Sequence, residues 1–243
     1  INETSNKLVS HLKYEPIETK KYLICFTPEA FLQLISAFSS MFNARSIIDG
    51  LSLMNEESIG QQIAVKNLNI SDEGLHPKNI GAFSFDGEGT PTQNIKLIKS
   101  GILTNLIHSE ATARKFGVKP TGHAGLGAKV SVTPDWLVVS KSENEIDKDD
   151  NLSVKSTQKE YILIDELSAL HSGVKASQGS FSLPFDGWLV KNGIKTSIEA
   201  ATVAGDIIKV LNSIVKIESE QIVTHQGISP YVWIENMSIT GEA

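Results

Sequence analysis

A single cysteine, Cys25, serves this 243-residue chain. One cysteine forms no internal disulfide and no cysteine-rich zinc site. So low a content fits a reducing compartment, and a cytoplasmic location is expected. Flanked by Leu23, Ile24 and Phe26, Cys25 reads as a buried apolar residue. Cations are also scarce: 22 Lys and Arg face 28 Asp and Glu, for a net charge of −6. Duplex binding draws its affinity from Lys and Arg neutralising phosphates, so this balance disfavours a nucleic-acid face. No apolar run approaches the roughly 20 residues of a membrane helix, and Ile1 to Leu12 lack a signal-peptide layout. The chain opens without an initiator Met, which reads as a fragment or a processed chain. No fixed-period repeat is found.

Intact catalytic motifs are missing as well. No His precedes a Glu, so no His-Glu-x-x-His pair holds zinc and a general base on one helix. The six histidines, His11, His76, His108, His123, His171 and His225, are far apart in sequence. Asp147, Asp149 and Asn151 match the opening of a calcium loop, but Leu152 stands at the turn glycine and Gln158 at the bidentate glutamate. Gly122 to Gly127 has the spacing of a phosphate loop, but Ala128 takes the lysine position and Pro120-Thr121 precedes it where a strand is required. That segment reads as a glycine turn. No Gly-x-Ser-x-Gly elbow is present.

What is present is a globular composition, 40% hydrophobic, long enough for one large domain or two small ones. Residues 1–20 are polar and read as a linker or frayed end. Lys21 to Phe26 reads as a buried strand. Thr27-Pro28-Glu29-Ala30 then starts a helix: Thr caps, Pro suits the first helical position and Glu favours the positive dipole end. Phe31, Leu34, Ile35, Phe38 and Phe42 follow at helical spacing. A weaker helical region spans 46–62, broken by Gly50 and Gly60, and Ile63 to Ile70 reads as a strand. Strands at Asn94 to Ile98 and Ile102 to Ile107 flank a Ser100-Gly101 turn. Ser109 to Phe116 reads as a helix capped by Ser109 and ended by Gly117. Strands follow at Trp136 to Ser140 and Tyr161 to Ile164, around a polar stretch from Lys141 to Glu160. A hairpin turns at Asn192-Gly193, Ile207, Ile208, Leu211 and Ile214 share a helix face, and Tyr231 to Ile239 alternates as a last strand. Short strands with a few helices and no regular βαβ spacing predict an α+β fold with a largely antiparallel sheet, for which a barrel-like form is one option.

The densest constellation is Phe85-Asp86-Gly87-Glu88-Gly89-Thr90-Pro91, in which two carboxylates one glycine apart serve a site or shape a turn. The run from Phe85 to Gly127 resembles the TldD/PmbA family, once labelled modulators of DNA gyrase. Leu170 to Val174, Gly179 to Leu183, Ala201 to Gly205, and Ser229-Pro230 through Gly241 resemble later family segments in the same order. The resemblance covers about residues 21–243 and corresponds to the family's C-terminal half.

The resemblance implies a branch and a role. The TldD branch carries a zinc-binding His-Glu-x-x-x-His after a Pro-Glu-Ala-like helix start. Alignment on Pro28 puts those positions at Ser36, Ala37 and Met41. Ser is a poor zinc ligand, Ala takes no proton from water, and a thioether prefers softer metals. No Cys follows Cys25 to supply the TldD-like late ligand. Thr121-Gly122-His123-Ala124 also looks more like the PmbA (TldE) branch. The implied protein is a non-catalytic subunit that holds no metal and pairs with a zinc-bearing TldD-like metallopeptidase (or forms a homodimer alone), in a complex that processes peptides and unfolded proteins. Asp86, Glu88, Thr90, Pro91 and His123 are then candidates for peptide or interface contacts, and an extended peptide could add to a strand edge. Two other readings stay open: an isolated metallo-hydrolase using His123, His171, His225, Asp86 or Glu88, and a gyrase- or toxin-linked binding protein.

Overall fold

The computed structural model describes residues 14–142 and 160–241. The polar stretch with Asp147, Asp149, Asn151 and Gln158, and His11 near the start, lie outside them. In chain order the described residues form β1 (Tyr14–Glu15), β2 (Lys20–Phe26), α1 (Pro28–Ala37), α2 (Ala44–Ile48), β3 (Leu68–Asp72), β4 (Ile95–Lys99), β5 (Ile102–Leu103), α3 (Glu110–Phe116), β6 (Ala124–Gly125), β7 (Ser131–Val132), β8 (Leu137–Lys141), β9 (Glu160–Leu167), β10 (Val174–Lys175), β11 (Ser180–Lys191), β12 (Ile194–Ile198), β13 (Ala201–Asp206), α4 (Ile207–Asn212), β14 (Ile214–Ile217), β15 (Ile222–Val223), β16 (Gly227–Ser229) and β17 (Val232–Gly241).

The α+β expectation holds, including the barrel. Strands β11, β13, β17, β2 and β9 pair in a ring, because β9 returns to β11. All of these pairings are antiparallel except β2 with β9. The 12-residue β11 makes the closure possible. On one side its first half pairs with β13 and its second half with β12; on the other it pairs with β9. Phe181, Leu183 and Phe185 alternate inward along it. The register slips at Asp186/Gly187, and a Cβ on Gly187 would run into the Leu163 carbonyl. A glycine is what lets the strand bend there.

A second sheet runs β15-β16-β8-β3-β4-β5, and β6 with β7 forms a separate small hairpin. Helix α1 makes its contacts with β9, β2 and β16, so it joins barrel to sheet. Its start follows local chemistry: Thr27 Oγ1 accepts from the Ala30 amide at 3.2 Å and donates to the Asp165 carbonyl at 2.9 Å. Phe31, Leu32, Leu34 and Ile35 are fully buried, each contributing about 1.5–3 kcal/mol. Gln33 is buried among them with its Oε1 accepting the Leu167 amide at 2.8 Å, which removes the penalty of an unpaired amide oxygen.

Four boundaries differ from expectation, the first being the strand expected over Ile102 to Ile107, which is only the two-residue β5. The 46–62 helix shrinks to α2, which starts earlier because the Asn43 side chain caps the Arg45 and Ser46 amides, and ends before Gly50 at φ +68°. The strand expected at 63–70 lies at 68–72, extended through Asp72. Ile214 belongs to β14, not to the face of α4, which stops at Asn212. At the N-terminal side, β1 pairs with β12 and Ile17 is buried. No helix among the described residues is long and apolar enough to cross a membrane.

Candidate functional site

The functional candidates gather where the second sheet meets the β6–β7 hairpin. Leu68, Ile70 and Asp72 occupy the buried alternate positions of β3. Asp72 is therefore a carboxylate at an apolar position, with no exposed surface. Its Oδ2 accepts the Asp135 amide at 2.8 Å and its Oδ1 the Trp136 amide at 3.0 Å. It thus fastens the turn that enters β8. His123 Nε2 lies 3.3 Å from the same Oδ2, and both side chains are wholly buried.

On its other side, His123 Nδ1 is 2.9 Å from Thr121 Oγ1. That hydroxyl donates to the His108 carbonyl at 3.2 Å and accepts the His108 amide at 2.8 Å. With its single proton so used, it accepts from His123, which assigns a proton to Nδ1. A second proton, on Nε2, is then what turns the contact with Asp72 into attraction. Burial pulls the His123 pKa down, but Asp72, with Asp135 and Thr121 adding to it, outweighs burial and holds the pKa above the ordinary histidine value.

The Asp72–His123–Thr121 chain has the order of a hydrolase triad. It does not work as one. Thr121 is buried and its hydroxyl is held by the backbone of His108, so no substrate carbonyl reaches it. The chain is a buried polar strut between β3, the hairpin and the residues before α3.

The strut makes stability pH-dependent, and the sign follows from linkage. A histidine with a raised folded pKa contributes stability that is complete below the unfolded value near 6.5 and is lost as pH rises through the folded pKa. Asp135 acts in the same sense from 3.8 upward: burial, then the nearby Asp72 and Asp86, raise its carboxyl pKa against the pull of His123. The unfolding free energy, measured in urea, is expected to fall as pH rises above about 6.5. His123→Gln should lose this decline, and an equal decline in the variant would assign it to other groups.

Asp86 and Glu88 are fixed by backbone amides. Asp86 Oδ1 accepts from the Glu88 and Thr90 amides and Oδ2 from the Ala124 amide, all at 2.9 Å. Glu88 Oε2 accepts the Glu110 amide at 2.8 Å, at the start of α3. Both carboxylates therefore shape and dock the 85–91 turn. Thr90 returns its carbonyl to the Asp86 amide, and Pro91 bridges to Phe85. Gly122, at φ +76°, packs so closely on the Pro91 carbonyl that a side chain there would collide with it.

Between this turn and the hairpin lies an open cleft of about 340 Å³, bordered by Phe83, Phe85, Asp86, His123, Leu126 and Asp135 with Thr92, Thr133 and small residues. His123 is thus brought beside Asp86, whereas Glu88 turns to α3. The positions aligned with the zinc motif lie elsewhere. Ser36 is exposed, Ala37 is half-buried, and Met41 is 1% exposed in a 3₁₀ turn spanning Ser39–Phe42. A hydroxyl, a methyl and a core thioether do not fit a zinc ion. His171 is exposed, and His225 pairs with Glu29 at 3.2 Å. Among the described residues no three His, Cys, Asp or Glu are grouped to hold a metal.

A family model described as the PmbA/TldA metallopeptidase C-terminal domain matches residues 19–241. The chain belongs to the PmbA/TldD family. It is 26% identical over 245 residues to the Metalloprotease PmbA of Escherichia coli O157:H7, covering 99% of this chain and 50% of that protein. It is 23% identical to the Metalloprotease PmbA homolog of Buchnera aphidicola subsp. Baizongia pistaciae, covering 98% and 50%. The chain therefore spans about half the length of these PmbA relatives. Among solved structures, a Thermotoga maritima MSB8 protein named as a candidate modulator of a DNA gyrase superposes with a TM-score of 0.84 at 27% identity, covering 97% of this chain and 53% of that one. TldE from Thermococcus kodakarensis shares the fold, with a TM-score of 0.83 at 20% identity over 99% and 55% of the two chains.

Two residues of this candidate site escaped the sequence reading, Asp72 and Asp135. Asp72 had a signal: a charge at the third inward position of an alternating Leu-x-Ile-x-Asp strand. Asp135 had none, since its place depends on a turn held by Asp72.

Proposed function

We propose that the chain is the C-terminal domain of a non-catalytic PmbA/TldE-like subunit that pairs with a zinc-bearing, TldD-like metallopeptidase in the cytoplasm. The complex processes peptides and unfolded proteins. The observation that carries this reading is the identity and setting of Ser36, Ala37 and Met41. Where the catalytic branch needs two imidazoles and a carboxylate, this chain offers no zinc ligand and no general base, and Met41 belongs to the core. Peptide handling is supported by the family membership and by an open cleft walled by apolar and acidic groups.

The test uses the full-length protein alone and with a TldD-like chain from the same source. Alone, it is expected to hold substoichiometric zinc after loading and desalting, and to leave a fluorogenic peptide uncut. Mixed, the two chains should co-elute and cut the peptide, with cleavage abolished by removing the partner's zinc motif. One zinc per isolated chain, together with cleavage, would make this chain a hydrolase in its own right and overturn the proposal. Failure of the full-length chains to co-elute would also count against it.

A further inference from the structure

The cleft between the 85–91 turn and the β6–β7 hairpin has a charge pattern that its turn-building residues do not explain. Of the charged side chains that border it, Asp86 and Asp135 are acidic, and His123 is matched by Asp72 behind it. No Lys or Arg among the described residues lines it. Asp86 spends both oxygens on backbone amides. Asp135 differs: no hydrogen bond or ion pair engages its carboxylate among the described residues. It lies over Gly74, where a Cβ would come within 2.9 Å of its Oδ2. At the rim stand Phe83, Phe85 and Leu126, which are 76%, 65% and 71% exposed. In the cleft wall His123 is 4% exposed, with its Nε2 turned to the Asp72 carboxylate at 3.3 Å.

We propose that this cleft binds a cationic group of a peptide, with its ammonium or guanidinium on Asp135 and its neighbouring apolar residue on Phe83, Phe85 and Leu126. A carboxylate beside exposed aromatic faces suits a cation on both counts, by ion pairing and by the ring quadrupole. The volume of about 340 Å³ holds one long side chain or a chain terminus with its first residue. Crowding by burial, Asp72 and Asp86 also leaves the Asp135 carboxylate in an unfavourable ionised state that a bound cation relieves. The inference rests on the reading of this chain as a peptide-handling subunit and names what that subunit would select.

The test uses the full-length protein and four peptides: Ala-Lys-Phe-Ala amide, its N-acetylated form, and the norleucine analogue of each. Binding is followed by calorimetry. The peptide with both cations is expected to bind about tenfold or more tightly than the acetylated norleucine peptide, as one charge-assisted hydrogen bond would give. Asp135→Asn should erase the difference and leave the neutral peptide unchanged. Loss on acetylation alone assigns the cation to the chain terminus, and loss on norleucine replacement alone assigns it to the side chain. Phe85→Leu, at an exposed ring, should weaken the cationic peptide about threefold, which keeps the proposal testable if Asp135→Asn misfolds. Equal affinity for all four peptides, binding of none, or a preference that survives Asp135→Asn overturns the proposal. Co-elution with the TldD-like chain is read on the same preparations. Intact co-elution without cation preference removes this site alone, and cation preference without co-elution removes the subunit reading alone.

Discussion

Asp72→Ala is expected to destabilise the domain by about 3–5 kcal/mol, the cost of breaking a buried ion pair from one side. The substitution leaves the His123 imidazole buried without its counter-charge and the Asp135 and Trp136 amides without an acceptor. Each orphaned donor alone costs about 1–3 kcal/mol. The three losses share one carboxylate and do not add, so the range for the ion pair is the figure to expect. Asp72→Asn keeps an acceptor for one amide and should cost less. The midpoint in urea at constant slope measures both. A loss under about 1 kcal/mol for Asp72→Ala would show that the turn into β8 holds without its anchor. The proposed cation site is tied to the same carboxylate, since the anchored turn places Asp135 at the cleft.

Much of the fold was legible because it is written in local chemistry. Thr27-Pro28 starts α1 by a cap and a preset φ. Ser109 and Gly117 bracket α3, with Gly117 left-handed at φ +67°. Ser100-Gly101 and Asn192-Gly193 form hairpin turns in which all four residues have positive φ, as tight turns require. Barrel closure is of another kind. It needs β11 to serve β13, β12 and β9 at once, with a slip at Gly187, and those pairings are set by residues distant along the chain. The Asn192-Gly193 turn marked a hairpin and did not show that its first strand, β11, begins as far back as Ser180.

The site was half legible. The 85–91 segment stood out by composition, and the sequence left open whether its carboxylates serve a site or a turn. The structure supplies their bonds: Asp86 and Glu88 are acceptors for backbone amides. His123 was singled out by its family context, but its meaning comes from Asp72 and Thr121. Thr121 is two residues away and Asp72 lies on another sheet strand, so only the fold makes a strut of them.

Met41→His tests whether the proposed loss of a zinc motif is more than a change of letters, and it is expected to cost about 2–5 kcal/mol, the range for emptying a large core side chain. Met41 is 1% exposed and belongs to the main core cluster. An imidazole there is smaller in apolar volume and brings two ring nitrogens with no partner built for them. The geometry is unhelpful in a second way. On a straight α-helix, residues five apart differ by about 140° in direction, so His-Glu-x-x-x-His needs the backbone to turn between its ends. Here α1 ends at Ala37 and a 3₁₀ turn follows, leaving Ser36 exposed and Met41 inside. Ser36→His with Ala37→Glu and Met41→His therefore restores the residue types without bringing the two imidazoles to one ion. The triple variant is expected to bind zinc no better than the native chain and to unfold at lower urea. Stoichiometric, tightly held zinc in a folded triple variant would show that the scaffold still carries the catalytic geometry, and that the branch lost its ligands without losing the site.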